Sequence, residues 1–119
     1  MRNMVEDHER PWLTQLRRGV AEHCVLALLR AEPGYGFDLA QILARQGLVS
    51  GEGTIYPLLA RLRRAQWVET FWKESSEGPP RRYYRLTPLG EAVLTQFADE
   101  WGRFRDAVDQ VLEGAWHDA

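Results

Sequence analysis

The chain has few of the residues and motifs that enzymes commonly use. Its single cysteine, Cys24, excludes an internal disulfide and lies in an apolar helical context, where we expect a buried, unreactive thiol. The three histidines, His8, His23 and His117, are scattered, and none has a partner at metal-ligand spacing. The glycines of the GEG at 51–53 lack the rest of a dinucleotide fingerprint or a phosphate loop, and no Ser/His/Asp grouping emerges. We therefore expect no catalytic site, no metal and no cofactor.

Long apolar runs are also missing. The first residues lack the apolar stretch of a secretory signal, and no segment approaches the roughly 18 apolar residues of a membrane span, so we expect a cytoplasmic protein. The 119 residues are 45% hydrophobic, 27% charged and 11% aromatic, with five tryptophans, a composition typical of one globular domain. A chain of this length buries only about two thirds of its unfolded surface, which favours help from a second copy.

The net charge of −2 is unevenly distributed. Residues 1–49 hold six acidic and six basic side chains, residues 50–90 hold four acidic and seven basic, and residues 91–119 hold seven acidic and two basic. These balances of 0, +3 and −5 sum to −2, so the acidic total conceals a basic middle segment. Such a segment suits a polyanionic partner, and the alternative is an ordinary solvated surface.

Apolar residues at three- and four-residue steps predict three helices in the first half of the chain. The first covers about 13–31 and the second about 36–45. The third ends near residue 65 and has two possible starts: a start at Ser50 would put Pro57 in the helix interior, whereas a cap at Thr54 would put it in the tolerant first turn. Short glycine-containing connections between the helices indicate a helix-turn-helix core.

The third helix has the features of a DNA recognition helix. Opposite its apolar face lie small residues near the start and arginines near the end, namely Gly53, Tyr56, Pro57, Ala60, Arg61 and Arg64. Small residues would let the backbone approach a groove, the hydroxyls of Thr54 and Tyr56 would reach bases or phosphates, and the arginines would reach phosphates. The alternative is that Tyr56 packs in the core and the arginines only complement the carboxyl end of the helix.

Two short strands are predicted after this helix. Aromatic and β-branched residues favour strands over 67–74 and 82–86, joined by a Ser-, Gly- and Pro-rich turn at 75–80. A hairpin after a helix-turn-helix forms a wing, and its cations Lys73, Arg81, Arg82 and Arg85 suit phosphates or the minor groove. The alternative is a stabilising hairpin with solvated charges.

A long helix is predicted for the end of the chain, with Thr87 as its N-cap and Pro88 as its first residue. Its apolar residues alternate three- and four-residue steps as Leu94, Phe97, Trp101, Phe104, Val108 and Val111. This is the seam of a coiled coil over about two and a half heptads, and we expect it to form a dimer interface. The alternative is that the helix packs on its own domain.

Four segments together resemble the PadR family of transcriptional regulators. They are the LRRG at 16–19, the YGFDL at 35–39, the EGTIYPLL at 52–59 and the GPPRRYYRLT at 78–87, in the family's order and at its spacing. The match runs from about Leu16 to the end of the chain, and Phe37 and Asp38 are mild departures from the family's usual residues.

The expected fold is mainly α with a small β-hairpin. We expect a winged helix-turn-helix DNA-binding domain at 16–87 and a C-terminal dimerisation helix at 88–119. Residues 1–15 are left as an N-terminal extension outside the family pattern. The resemblance implies a homodimer that represses promoters and releases them when a small effector, often an aromatic compound, is sensed.

We expect double-stranded DNA to be contacted by Tyr35, Gly53, Thr54, Tyr56, Arg61, Arg64, Lys73, Arg81 and Arg82. Recognition helices about 34 Å apart in a two-fold dimer would suit a palindromic operator with about ten base pairs between half-site centres. Phe97 and Trp101, with Trp12 or Trp116 nearby, are candidates to line a slot for a planar effector, or else they only fill the dimer interface. The main alternative function is a winged-helix module that binds an acidic protein.

Overall fold

The computed structural model describes residues 10–114. The first nine residues, which include His8 and most of the predicted N-terminal extension, lie outside the described part of the chain. So do the last five, which include Trp116 and His117. Within residues 10–114, no helix is long and apolar enough to cross a membrane.

The predicted helices of the first half are confirmed. Helix α1 spans Pro11–Ala31 and helix α2 spans Gly36–Arg45. Helix α1 begins two residues earlier than predicted because a proline is tolerated at the first helical position, where its missing N–H has no partner to lose. It ends at Ala31, and the next residue, Glu32, is extended, as the residue before a proline prefers to be.

The start of the third helix is decided by a short 3-10 turn. Glu52–Thr54 form this turn, and helix α3 follows over Ile55–Arg64. Pro57 is therefore the third residue of α3 and sits in its first turn, where no intrahelical donor is needed. Thr54 precedes the helix but does not cap it, because its hydroxyl donates a hydrogen bond to the carbonyl oxygen of Gly51 at 2.7 Å.

The wing is confirmed as two antiparallel strands. Strand β2 covers Val68–Lys73 and strand β3 covers Arg81–Leu86. A two-residue strand that the sequence did not predict, β1 at Gly34–Tyr35, pairs with β3 on its other side, so the sheet order is β1-β3-β2.

Helix α4 spans Pro88–Glu113 and begins as predicted. The hydroxyl of Thr87 accepts a hydrogen bond from the amide of Gly90 at 3.0 Å, which satisfies one of the unpaired donors of the first turn. Arg30 is ion-paired with Glu91 near the end of α1, and the His23 ring lies on the Phe97 ring further back along α1. The two helices are therefore antiparallel neighbours.

One hydrophobic core joins these elements. The largest fully buried side chains come from α1, α2, α3 and β2: Leu26, Leu43, Ile55, Leu59, Leu62, Val25 and Val68. The amino end of α4 contributes Leu94, which is only 3% exposed. Close packing continues at Gly90, where an added Cβ would overlap the main-chain carbonyl oxygen of Trp67. The first turns of α4 are thus built into the winged-helix domain.

Candidate nucleic-acid interface

Burial of one face of α3 determines which face is presented to solvent. Ile55, Leu58, Leu59 and Leu62 are buried in the core. The predicted recognition face is exposed along its whole length: Gly53, Tyr56, Pro57, Ala60, Arg61 and Arg64. The side chain of Tyr56 is 49% exposed, so the alternative that it packs in the core is wrong.

Gly53 has no role inside the protomer that would require a glycine. A Cβ built on it would meet no atom of residues 10–114 within 4 Å, and its backbone is outside the left-handed region. The neighbouring Gly51 is equally open and is extended, with φ −168°. The absence of side chains at these two glycines leaves room for close approach to the backbone just before α3 from outside the protomer.

The hydroxyl of Thr54 is already used as a donor. Its bond to the Gly51 carbonyl leaves the oxygen lone pairs available, so in this arrangement the hydroxyl can accept a further hydrogen bond but not donate one. Phosphate oxygens only accept, whereas the amino groups of adenine and cytosine donate. As positioned, Thr54 suits a base edge better than a phosphate.

Arg61 is directed towards α1. Its Nε lies 2.9 Å from a carboxylate oxygen of Glu22, with which it forms an ion pair and a hydrogen bond. The sequence placed Arg61 and Arg64 together, but the structure puts them on different flanks of α3. One flank faces α1 and the other faces the wing, because residues three apart on a helix are displaced by about 60° around its axis.

A groove between α3 and the wing brings cations of both elements together. It is lined by Tyr56, Ala60, Arg63, Arg64, Arg82 and Tyr84. Arg63 and Tyr84 were not among the predicted contact residues. Arg63 had a signal in the sequence, because it follows Tyr56 and Ala60 at the seven- and three-residue spacing of one helix face.

The wing presents two different faces. Opposed residues of an antiparallel pair share a face, so Trp72, Arg82 and Tyr84 lie on the groove side, where Arg82 and Tyr84 line the groove. Lys73, Arg81 and Tyr83 lie on the other side. Tyr35 is paired with Tyr83 and lies under the Arg81 guanidinium, so the structure does not bring Tyr35, Lys73 or Arg81 into the groove.

Aromatic rings support the cations of the wing. The Arg82 guanidinium lies 5.1 Å from the centroid of the Trp72 ring, and the Arg81 guanidinium lies 4.9 Å from the Tyr35 centroid. The Lys73 ammonium lies 4.9 Å from the Tyr83 centroid. These cation–π contacts hold three positive charges in place at the wing, which lowers the ordering cost of a phosphate contact.

The predicted dimer seam divides into a buried part and an exposed part. Leu94 is a core residue of the protomer, so it has little surface left for a partner, and its assignment to the dimer interface is corrected. Further along α4, Phe104 is 63% exposed, Val108 41% and Val111 59%. Leu112 is also exposed and was not predicted.

A column of rings lies between these two parts. His23 is stacked on Phe97 with ring centroids 4.1 Å apart, Phe97 is stacked on Trp101 at 5.8 Å, and Trp101 is tilted against Phe104 at 6.3 Å. Trp12 is exposed at the start of α1 and is not among the rings in contact with Phe97 or Trp101 in the described chain.

Burial shifts the pKa values of two adjacent side chains of α1, His23 and Cys24. Burial lowers the pKa of the His23 imidazole, and the neighbouring Glu22 carboxylate opposes the shift. The Nδ1 atom of His23 is buried and has no hydrogen-bond partner among residues 10–114. Burial also raises the pKa of the Cys24 thiol, which disfavours the reactive thiolate.

Comparison with known proteins gives a consistent result. Residues 25–96 match the family model described as the transcriptional regulator PadR-like family. A transcriptional regulator of Mycobacterium tuberculosis is 35% identical over 85 residues, which cover 71% of this chain and 76% of that protein.

Solved structures with the same overall fold include two regulators of this type. A PadR-like transcriptional regulator from Bacillus cereus is 37% identical with a TM-score of 0.75, covering 82% of this chain and 96% of its own. A PadR family transcriptional regulator from Eggerthella lenta is 35% identical with a TM-score of 0.75, covering 92% and 96%.

Proposed function

The chain belongs to the PadR-like family of transcriptional regulators, and on that premise we propose that it is a homodimeric repressor that binds a palindromic operator sequence-specifically. A small effector would release it from the DNA, and the rings on α4 favour aromatic compounds. The family regulates transcription and is not one of enzymes.

The observation that carries this proposal is the groove between α3 and the wing. Three arginines from two elements, Arg63, Arg64 and Arg82, line it together with the exposed Tyr56. A helix inserted in a major groove with cations along one flank would place those cations against the adjacent phosphates. The cations give affinity without sequence preference, so Thr54, Tyr56 and the open backbone at Gly53 are the candidates for base readout.

A second copy of the chain supplies the symmetry. The exposed residues Phe104, Val108 and Val111 extend along α4 beyond the winged-helix domain. Pairing this stripe with its symmetry mate would bury all three and hold two recognition helices at a fixed separation. A separation of about 34 Å would match half-sites one helical turn apart, which is why we propose a palindromic operator.

The ring column on α4 supports an effector site next to that interface. Phe97 and Trp101 present stacked, partly exposed rings where the two copies would meet. A planar molecule would extend such a stack with little loss of its own freedom. Binding there would alter how the two α4 helices pack and hence the spacing of the recognition helices.

Selection from a random duplex pool tests the DNA-binding part of the proposal directly. With the full chain, we expect recovered sequences to share an inverted repeat with half-site centres about ten base pairs apart. Sedimentation should show a dimer at the same concentrations. Absence of binding to any duplex at low salt would overturn the proposal and favour an acidic protein as the partner of the basic surface.

A substitution at Gly53 tests whether the recognition helix α3 approaches DNA closely. Replacing Gly53 by Ala adds a methyl group that meets no atom in the described part of the chain, so folding should be unaffected. Affinity for the selected operator should fall at least about tenfold if DNA approaches this backbone. Gly102→Ala is the control, because it adds the same methyl group on α4, far along the chain from α3, where a Cβ also meets no atom of residues 10–114 within 4 Å, and it should leave operator affinity unchanged. Equal affinity of both variants and the parent would contradict the placement of α3 in the groove.

A further inference from the structure

A cleft of about 300 Å³ lies on the flank of α3 that faces α1. It is bounded by α1, the turn at 48–50 and the first turns of α3, and it shares no lining residue with the groove beside the wing. Its size is at the lower end of the range for small-molecule sites. The cleft is also separate from the rings on α4, but Thr54 and Arg61, two of the predicted DNA contacts, are among its lining residues.

The floor of the cleft is apolar. Ala21 of α1, Val49 of the turn and Leu58 of α3 line it and are buried members of the core. Water next to these apolar side chains finds few hydrogen-bond partners, so its displacement by an apolar group of a ligand would favour binding.

The walls of the cleft are cationic. Arg17, Arg18 and Arg61 line it, and none of its described lining residues is acidic. Two of the guanidinium groups are held in place: Arg17 Nε donates to the Gly47 carbonyl oxygen at 3.0 Å, and Arg61 Nε donates to Glu22 at 2.9 Å. Three guanidinium groups above an apolar floor form a mixed site, charged at the rim and hydrophobic at the base.

We propose that this cleft binds a small organic anion, in which a carboxylate is attached to a compact apolar body. A guanidinium fork matches a carboxylate in shape and charge, and the apolar body would cover the floor. An inorganic anion could contact the arginines but would leave the apolar floor in contact with water. The cationic walls and the apolar floor together therefore favour a ligand that has both a carboxylate and an apolar body.

Occupation of the cleft would affect α3 directly. Thr54 and Arg61 belong to the 3-10 turn and to α3, and both line the cleft. A bound anion would compete with Glu22 for Arg61 and would reduce the positive charge next to the helix that is proposed to enter DNA. Because coupling between two ligands is reciprocal, the anion and the operator should each weaken the binding of the other; this link to DNA rests on the proposed function.

Titration of the full-length protein with benzoate and with benzamide tests the site. The two probes share a ring and differ in charge, and backbone amide chemical shifts report where each binds. We expect benzoate to shift amides at 17–21, 48–50 and 54–61 saturably, and benzamide to bind at least about tenfold more weakly, because it lacks the charge-assisted contact.

Two charge-removing variants complete the test. Arg18→Gln should weaken benzoate binding by about tenfold, whereas Arg105→Gln, which removes a positive charge from α4, should leave it unchanged. Should Arg18→Gln fail to fold, the comparison of benzoate with benzamide on the parent chain still decides. Equal binding of the two probes, or shifts confined to the rings of α4, would overturn the proposal.

The outcome for this cleft is distinguishable from the outcome for the proposed function. If the protein selects an operator but benzoate causes no saturable shift in the cleft, the inference falls and the regulatory function stands. In that case a tenfold loss of operator affinity in Arg18→Gln would identify the cleft cations as phosphate contacts. If benzoate binds the cleft but no duplex is bound, the anion site stands and only its link to DNA is lost.

Discussion

The two halves of α4 place their apolar side chains in different environments. In the first half, Gly90 packs against the Trp67 carbonyl and Leu94 is buried in the core. In the second half, Phe104, Val108 and Val111 are exposed. The apolar stripe that is continuous in the sequence therefore has two parts. The first part is buried within the protomer, and the second part would be buried only by a partner.

This contrast means that the orientation of the recognition helix α3 and the distance between two copies of it depend on different parts of the molecule. All four buried residues of α3 are covered within the protomer, so α3 keeps its orientation without a second copy. The distance between two α3 helices would instead be set by the exposed half of α4. Helix α1 touches both parts through adjacent residues, since Glu22 is paired with Arg61 of α3 and His23 is stacked on Phe97 of α4.

The largest effect is expected where α4 joins the domain. In Gly90→Ala, the added methyl group would overlap the Trp67 carbonyl oxygen, so we expect the free energy of unfolding to fall by more than about 3 kcal/mol. Gly102→Ala is the control in the second half of α4, where a Cβ meets none of the described residues within 4 Å. It should change stability by no more than about 1 kcal/mol, and in the favourable direction. Similar denaturant midpoints for the two variants would show that the first half of α4 is no more tightly packed in the protomer than the second half.

The exposed half is tested by placing a charge on its stripe. In Val108→Glu, each copy would bury a carboxylate in the proposed interface, and we expect the dimer dissociation constant to rise on the order of a hundredfold, or about 3 kcal/mol. Ala107→Glu adds the same group one position away, off the stripe, and should have little effect. Sedimentation equilibrium measures both, and a dimer unaffected by Val108→Glu would place the interface elsewhere.

Much of the fold was predictable because local patterns agree with the tertiary structure. The apolar periodicity of α1, α2 and α3 and the capping pair Thr87 and Pro88 each specify an element without reference to the rest of the chain. Strand β1 was missed for the opposite reason. It has two residues, and its only support is pairing with residues about fifty positions later in the chain, which no local pattern reveals.

The candidate site was less predictable, because its geometry depends on neighbours in space. Helical spacing shows that Arg61 is exposed but not that Glu22 lies within ion-pair distance of it. The alternation of the wing assigns faces only when the register is known, which is why Tyr84 was missed and why Tyr35 was listed as a DNA contact together with Arg82 although the two lie on different faces. Leu94 fits the heptad as well as Phe104 does, and only the fold distinguishes them.

The two faces of the wing allow a comparison between neighbouring arginines. Arg82 lines the groove and Arg81 lies on the opposite face. We expect Arg82→Gln to weaken operator binding by about tenfold, or about 1.4 kcal/mol, and Arg81→Gln to weaken it by about two- to threefold. Fluorescence anisotropy over a range of salt concentrations provides the measurement, and the slope of log affinity against log salt should become shallower by about 1 for Arg82→Gln. Equal losses for the two variants would show that DNA does not distinguish the faces.

The smallest effect concerns the contact between α1 and α4, and it appears as a dependence on pH. Burial lowers the pKa of His23, so between the folded and unfolded pKa values the unfolded chain binds more protons at this residue than the folded chain does. The contribution of His23 to stability is therefore fully present above the unfolded pKa of about 6.5 and is lost as the pH falls through the folded pKa. His23→Phe keeps a ring against Phe97 but cannot titrate, so at a fixed protein concentration its stability should fall less than that of the parent between pH 7 and pH 5.5. Chemical denaturation at several pH values measures the free energy of unfolding of both proteins. If the two free energies change with pH in parallel, protonation of His23 does not disturb the stacked rings between α1 and the exposed half of α4.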